Sequence, residues 1–234
     1  MRRRLQFQDL GVLDYAVAER YQNELQNLNV QIKGSNRSAS PSHFQATVNH
    51  LLFVEHPHVY TLGKSGKENN LLISEKRLHE LGATFHHVSR GGDITYHGPG
   101  QLVVYPILDL ENFFADISKY LRSLEEVVIL TLSEFSIEAS RHAAGTGVWV
   151  MEEKGAAARK ICALGVHCSR WVTKHGIGFN INTDLDYFHH IVPCGIRQQG
   201  VTSMKYELGK TVEMEVVKES FKRNFCSVFE AEIV

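Results

Sequence analysis

The chain has 234 residues and a formal net charge of −1, a length that fits one large domain or two small ones. Apolar residues make up 43% and charged residues 22%, the balance of a globular protein that buries a core without staples. The near-zero charge excludes a global field drawing it to nucleic acid or an anionic membrane.

The basic start Met1-Arg2-Arg3-Arg4 is not followed by the apolar stretch of a secretory signal. No run of about 18 apolar residues is present to span a bilayer. The four cysteines, Cys162, Cys168, Cys194 and Cys226, form no Cys-x-x-Cys pair, so they read as reduced thiols of a cytoplasmic protein.

Residues 5–8 read as a short strand. Residues 14–31 read as a helix with Tyr15, Ala18, Tyr21, Leu25 and Leu28 on one stripe. Residues 34–42 are polar and rich in Gly, Ser and Asn, a loop. Residues 50–55 form an apolar strand, and the chain then turns and continues extended to Gly63. Residues 74–81 predict a helix capped by Ser74 and stopped by Gly82, and residues 85–89 a strand. Residues 89–101 read as a glycine-rich loop that feeds an apolar strand over 101–110.

The longest helical pattern covers 114–135, with Ile117, Leu121, Leu124, Val128 and Leu132 at helical spacing. Residues 146–152 and 159–167 read as a hairpin. An extended stretch follows over 172–182, broken by Gly176 and Gly178, and then a polar loop over 184–199. A helix over 211–229 closes the chain, with Val212, Val216, Phe221, Phe225 and Val228 apolar. Runs of strands with helices between some of them predict an α+β protein, a mixed or antiparallel sheet packed with helices, rather than a βαβ repeat.

The loop Ser89-Arg90-Gly91-Gly92-Asp93-Ile94-Thr95-Tyr96-His97-Gly98-Pro99-Gly100-Gln101 carries the strongest functional signal. Glycines admit close backbone approach to a ligand, and a polar loop running into the core is where a binding site is expected. Other chemistries fail on spacing. Gly63-Lys64-Ser65 ends like a phosphate-binding loop, but His58 stands where its first glycine belongs. Gly176-Ile177-Gly178 lacks the third glycine of a dinucleotide fingerprint, because Ile181 is there. Thirteen histidines include no His-Glu-x-x-His or clustered Cys/His spacing, so no metal is expected. No cofactor is indicated.

Two residues could carry covalent chemistry. Cys194, between Pro193 and Gly195, is either a thiol within reach of substrate or an ordinary small apolar residue. Lys160 opens the apolar run Ile161-Cys162-Ala163-Leu164-Gly165-Val166. It is either a solvated strand-end lysine or a buried one that lowers a neighbouring thiol's pKa. Cys162, Cys168 and Cys226 read as packing residues. From the residues alone the chain is an enzyme or a ligand binder with a glycine-lined pocket and one candidate thiol.

Taken together, these blocks resemble the lipoyl(octanoyl) transferases. The matching stretches are 55–63, 90–101, 159–166 and 176–180, and finally Pro193-Cys194-Gly195-Ile196 with Val201-Thr202-Ser203. The resemblance implies one catalytic domain over residues 1–234 with the fold of biotin and lipoate protein ligases. It implies a ping-pong transfer of an octanoyl group from octanoyl-acyl-carrier-protein to a cysteine. From there the group passes to a lysine of lipoyl domains, those of the 2-oxoacid dehydrogenase complexes and the glycine cleavage H protein. Cys194 would be the nucleophile and Lys160 the residue that lowers its pKa. Arg90, Gly91, Gly92, Asp93, Ile94, Thr95, Tyr96, His97, Ala163, Leu164, Gly165, Gly176, Ile177 and Gly178 would line the acyl pocket. An octanoyl chain buried at roughly 0.8 kcal/mol per methylene gains on the order of 5 kcal/mol, which calls for an apolar slot.

Three rival readings differ in chemistry. An ATP-dependent lipoate or biotin ligase would release pyrophosphate and not need Cys194. A thioesterase would release free octanoate to water. A lipoyl-domain binding module would turn nothing over.

Overall fold

The computed structural model describes residues 3–143, 145–151, 158–192 and 200–234. In chain order the elements are β1 (Arg3–Val12), α1 (Tyr15–Asn36), β2 (Asn49–Glu55), β3 (Val59–Leu62), α2 (Glu75–Glu80), β4 (Thr84–His87), β5 (Ile94–His97) and β6 (Gln101–Ile107). They continue with α3 (Ile117–Glu134), β7 (Ala139–His142), β8 (Gly145–Val150), β9 (Arg159–Ser169), β10 (Val172–Asn180), β11 (Gly200–Val201), α4 (Met204–Leu208), α5 (Met214–Val228) and β12 (Ala231–Ile233).

Among the described residues the main sheet runs β12-β1-β2-β6-β10-β9-β8-β7. It is mixed: β1 pairs in parallel with both β12 and β2, and the pairs from β2 to β7 are antiparallel. β11 lies parallel to the start of β9, beyond the end of β10. A second sheet, β4-β3-β5, stands apart.

The central strands are apolar on both faces because both are covered. Leu51, Phe53, Leu102 and Val104 join α3 and α5 in one core, through Leu124, Val128, Phe221 and Phe225. The alternate residues Leu52, Val54, Val103 and Tyr105 face the other way, with Ala18 of α1. The two-residue period of the strands thus puts one helix pair on one face and α1 on the other.

Several expectations need correction. α1 extends through Gly34, Ser35 and Asn36, which the sequence assigned to a loop. Of the expected stripe Tyr15 and Ala18 are buried and Tyr21 and Leu25 pack against the sheet, but Leu28 is 52% exposed, and Gln22, Gln26 and Asn29 complete the buried face. Those amides serve main-chain groups: Gln26 Nε2 donates to Val172 O at 2.8 Å, and Asn29 binds both the N–H and the C=O of Val48. A polar row is therefore packed beside the apolar one, which hydrophobic periodicity cannot reveal. Val216 is likewise exposed on α5, and Val217 is buried in its place. The loop expected over 89–101 contains β5, which pairs with β3. Gly176 and Gly178 do not break β10, which runs through both. At Gly176 a Cβ would strike Val104 O and come within 2.8 Å of Pro106 on β6, so glycine permits the close strand contact.

Candidate active site

The strand β9 carries the site. Its first residues pair with β8 on one side and with β11 on the other, so Lys160 sits between Trp149 and Val201. Lys160 Nζ donates to Thr146 O at 3.3 Å and lies 4.6 Å from the centre of the Trp149 ring. Gly147, at φ +141°, leaves space for the lysine stem, since a Cβ there would fall 3.2 Å from Lys160 Cε. The lysine is half-buried rather than a solvated strand end.

From Lys160 a narrow cleft open to solvent runs along β9 and β10. Ala163, Leu164 and Gly165 of β9 and Gly176, Ile177 and Gly178 of β10 form one wall. Arg90, Gly92, Asp93, Ile94, Thr95 and His97 form the other. Gly91 and Tyr96 belong to the same stretch but do not line the space. Gly91 N–H bonds Val166 O at 2.9 Å. Tyr96 is fully buried with Tyr60 and Phe188 in the core of the smaller sheet.

The glycine-rich block is held from several sides. Arg90 is 8% exposed and donates to Thr61 O at 2.7 Å, Thr61 Oγ1 at 2.9 Å and Gly91 O at 3.0 Å. Gly63 admits this packing, because a Cβ would collide with Gly92 O and stand 2.9 Å from Arg90 Nη1. Asp93 accepts Asn70 Nδ2–H at 2.6 Å on one oxygen and the Ile94 N–H at 2.7 Å on the other.

The deeper cleft is lined by groups absent from the sequence-based site: Tyr15, Tyr105, His175 and, near the lysine, Thr146. Nothing in their local sequence marks them, since α1, β6, β8 and β10 meet only in the fold. Three histidines cluster here as neutral rings. Gln101 Nε2 donates to Tyr96 O and Asn180 Oδ1, which leaves its Oε1 to accept His97 Nδ1–H at 2.6 Å. Burial, aided by His56, lowers the His97 pKa to about 3. His56 donates from Nδ1 to Leu13 O at 2.7 Å and accepts the Tyr105 hydroxyl on Nε2 at 2.8 Å, and burial lowers its pKa to about 4. Burial also drives His175 well below the ordinary value, with Lys174 next in effect.

Cys194 lies outside the described residues, as do Pro193 and Gly195. Its flanks are described: Val192 N–H bonds Asn70 O at 2.8 Å, and Val201 pairs with Lys160. Cys162 is fully buried, and burial pushes its thiol up although Lys160 opposes the shift. Cys168 is pushed up for the same reason. Both are built to stay thiols. Among the described residues no group of three or more His, Cys, Asp or Glu side chains could hold a metal, and no helix is long and apolar enough to cross a membrane.

The family model for the lipoyl protein ligase A/B catalytic domain matches residues 26–226. The chain belongs to this family. An octanoyltransferase of Flavobacterium johnsoniae is 55% identical over 235 residues, covering 100% of both chains. The family likeness read from the motif blocks is therefore found over the whole chain.

The lipoyl protein ligase fold is also seen in solved structures. A bipartite lipoate protein ligase of Thermoplasma acidophilum superposes with a TM-score of 0.69 at 15% identity, covering 100% of this chain and 86% of that one. A biotin protein ligase of Aquifex aeolicus gives 0.53 at 14%, covering 96% and 70%. At such identities the likeness is one of fold, and it matches the biotin and lipoate ligase fold expected from the sequence.

Proposed function

We propose that this family member transfers an octanoyl group from octanoyl-acyl-carrier-protein, through a thioester on Cys194, to a lysine amine of lipoyl domains, acting as one catalytic domain. The observation that carries the reading is the position of Lys160 at one end of a cleft walled by small and apolar residues, beside the strand that leads out of the Cys194 segment. The octanoyltransferase relatives supply the acyl group, and the Thermoplasma ligase, described with its E2 lipoyl domain, supports the acceptor class.

In the first half-reaction the Cys194 thiolate, stabilised by Lys160, attacks the donor thioester. The carrier thiolate leaves and is protonated by the Lys160 ammonium. In the second, the acceptor amine attacks the enzyme thioester, Lys160 takes its proton, and the Cys194 thiolate departs as the amide forms. Thioester exchange is close to balanced, and amide formation drives the sequence. Backbone N–H groups of the glycine-rich walls would hold the oxyanion. Ala163, Leu164 and Ile177 would cover the methylenes.

Mass spectrometry after mixing with octanoyl-carrier is expected to show one added octanoyl group on Cys194. Cys194→Ser should abolish it, Lys160→Ala should slow it by about two to four orders of magnitude, and Cys162→Ser should leave it. Label on Cys168 instead would reject the assignment. Free octanoate formed without an acceptor would favour a thioesterase, and pyrophosphate release from ATP a ligase.

A further inference from the structure

The resemblance places Asp93 among substrate-binding residues, but its carboxylate is already committed. One oxygen accepts the Ile94 N–H, and the other accepts Asn70 Nδ2–H at 2.6 Å. Asn70 ends the short turn Glu68–Asn70, and its own carbonyl accepts Val192 N–H at 2.8 Å. Val192 is the last described residue before Pro193 and Cys194. Around this contact Leu71 bridges to Ile191, and Leu72 N–H bonds His190 O at 2.8 Å. The preceding turn, Leu185–His190, is itself fixed, since the Tyr60 hydroxyl reaches Tyr187 O at 3.0 Å and His190 Nδ1 at 2.9 Å.

A continuous path therefore joins the cleft wall to the entrance of the nucleophile segment: Asp93 carboxylate, Asn70 side chain, Asn70 carbonyl, Val192 amide. We infer that Asp93 and Asn70 are positioning residues, which set where the Cys194 segment begins relative to the acyl cleft, and that the Asp93 carboxylate acts through Asn70 rather than on the acyl substrate. The inference rests on the reading of Cys194 as the acyl carrier. A hydrogen bond to a carboxylate is among the stronger and more directional contacts, and a misplacement of about 1 Å at a reacting atom costs up to about a hundredfold in rate.

The test uses the full-length protein with Asn70→Asp, Asn70→Ala, Asp93→Ala and the double variant Asn70→Asp/Asp93→Asn. Asn70→Asp sets two carboxylates against each other, and the second substitution restores the bond with donor and acceptor exchanged. Each single variant is expected to slow acyl-enzyme formation at saturating donor about tenfold or more with KM for the donor within about twofold, and the double variant to recover most of the loss. Amide hydrogen exchange at Val192 should quicken in the single variants and return in the double, a readout that needs no acyl transfer. A loss confined to KM would overturn the inference by making Asp93 a substrate contact. Wild-type rates in Asn70→Asp, or no rescue in the double variant, would overturn it as well. If the wild-type protein carries no acyl group on Cys194, the functional reading fails on that result alone, while exchange at Val192 still decides whether the tether exists.

Discussion

At the scale of single residues, the inner cleft works by desolvation. His56 and His97 are held as neutral rings by burial, each with Nδ1–H committed to an acceptor. Their folded pKa values lie below the ordinary 6.5, so below about pH 6.5 the unfolded chain binds protons that the folded chain refuses. Stability is therefore retained above that value and falls as pH drops towards about 4, where His56 itself titrates. His56 alone accounts for about 3 kcal/mol across this window, and His97 adds a loss of the same sign. Urea unfolding at pH 7, 6, 5 and 4 should show this decline, and His56→Gln should flatten it. An unchanged slope in the variant would assign the acid sensitivity to other groups.

At the scale of elements, α3 supports the lysine from behind the sheet. Glu125 is completely buried in the middle of a mostly apolar helix face. One oxygen accepts Gly147 N–H at 2.9 Å, and the other accepts Arg122 Nη1 at 2.6 Å and Arg141 Nε at 3.1 Å. The carboxylate thus fixes the start of β8 and the end of β7, and with them the Thr146 carbonyl that receives Lys160 Nζ. Removing one member of a buried charge network costs several kcal/mol. Both arginines here are partly exposed and can rehydrate, so Glu125→Ala should cost about 2 kcal/mol. The same variant should slow acyl-enzyme formation, because the lysine loses its fixed acceptor. Melting curves and single-turnover labelling check the two effects separately.

At the scale of the whole molecule, the stabilising core and the reacting groups draw on different residues. Phe225 is fully buried, stacked on Phe229 at 4.4 Å and grouped with Phe221, and does not line the cleft. Phe225→Ala should cost about 3 to 5 kcal/mol and lower the melting temperature. Below that temperature, the octanoyl label on Cys194 should form at close to the wild-type rate. A lost label in a folded variant would show that the α5 side of the sheet governs the cleft.

The apolar strands at β2 and β6, the cap of α2 at Ser74, the long α3 pattern and the β8–β9 hairpin were all legible in the chain, because each depends on local pattern or a short-range bond. So was the wall over 90–97, since its glycine spacing and polar density belong to one continuous stretch. The polar buried face of α1, the strand inside the glycine block and the short β7 and β12 were not. Gln22, Gln26 and Asn29 are buried for the sake of distant main-chain groups, β5 and β12 exist only through partners elsewhere in the chain, and β7 exists through its hairpin with β8. The polar lining at Tyr15, Tyr105 and His175 is of the same kind, assembled from three elements with no shared motif. The reactive residue types and the family they mark could be read without coordinates, because these are written in consecutive residues. That Lys160 opens the cleft, that Tyr96 is buried away from it and that the Asp93 carboxylate is spent on Asn70 and Ile94 came from the folded arrangement alone, because such pairings arise when segments far apart in the chain are brought together.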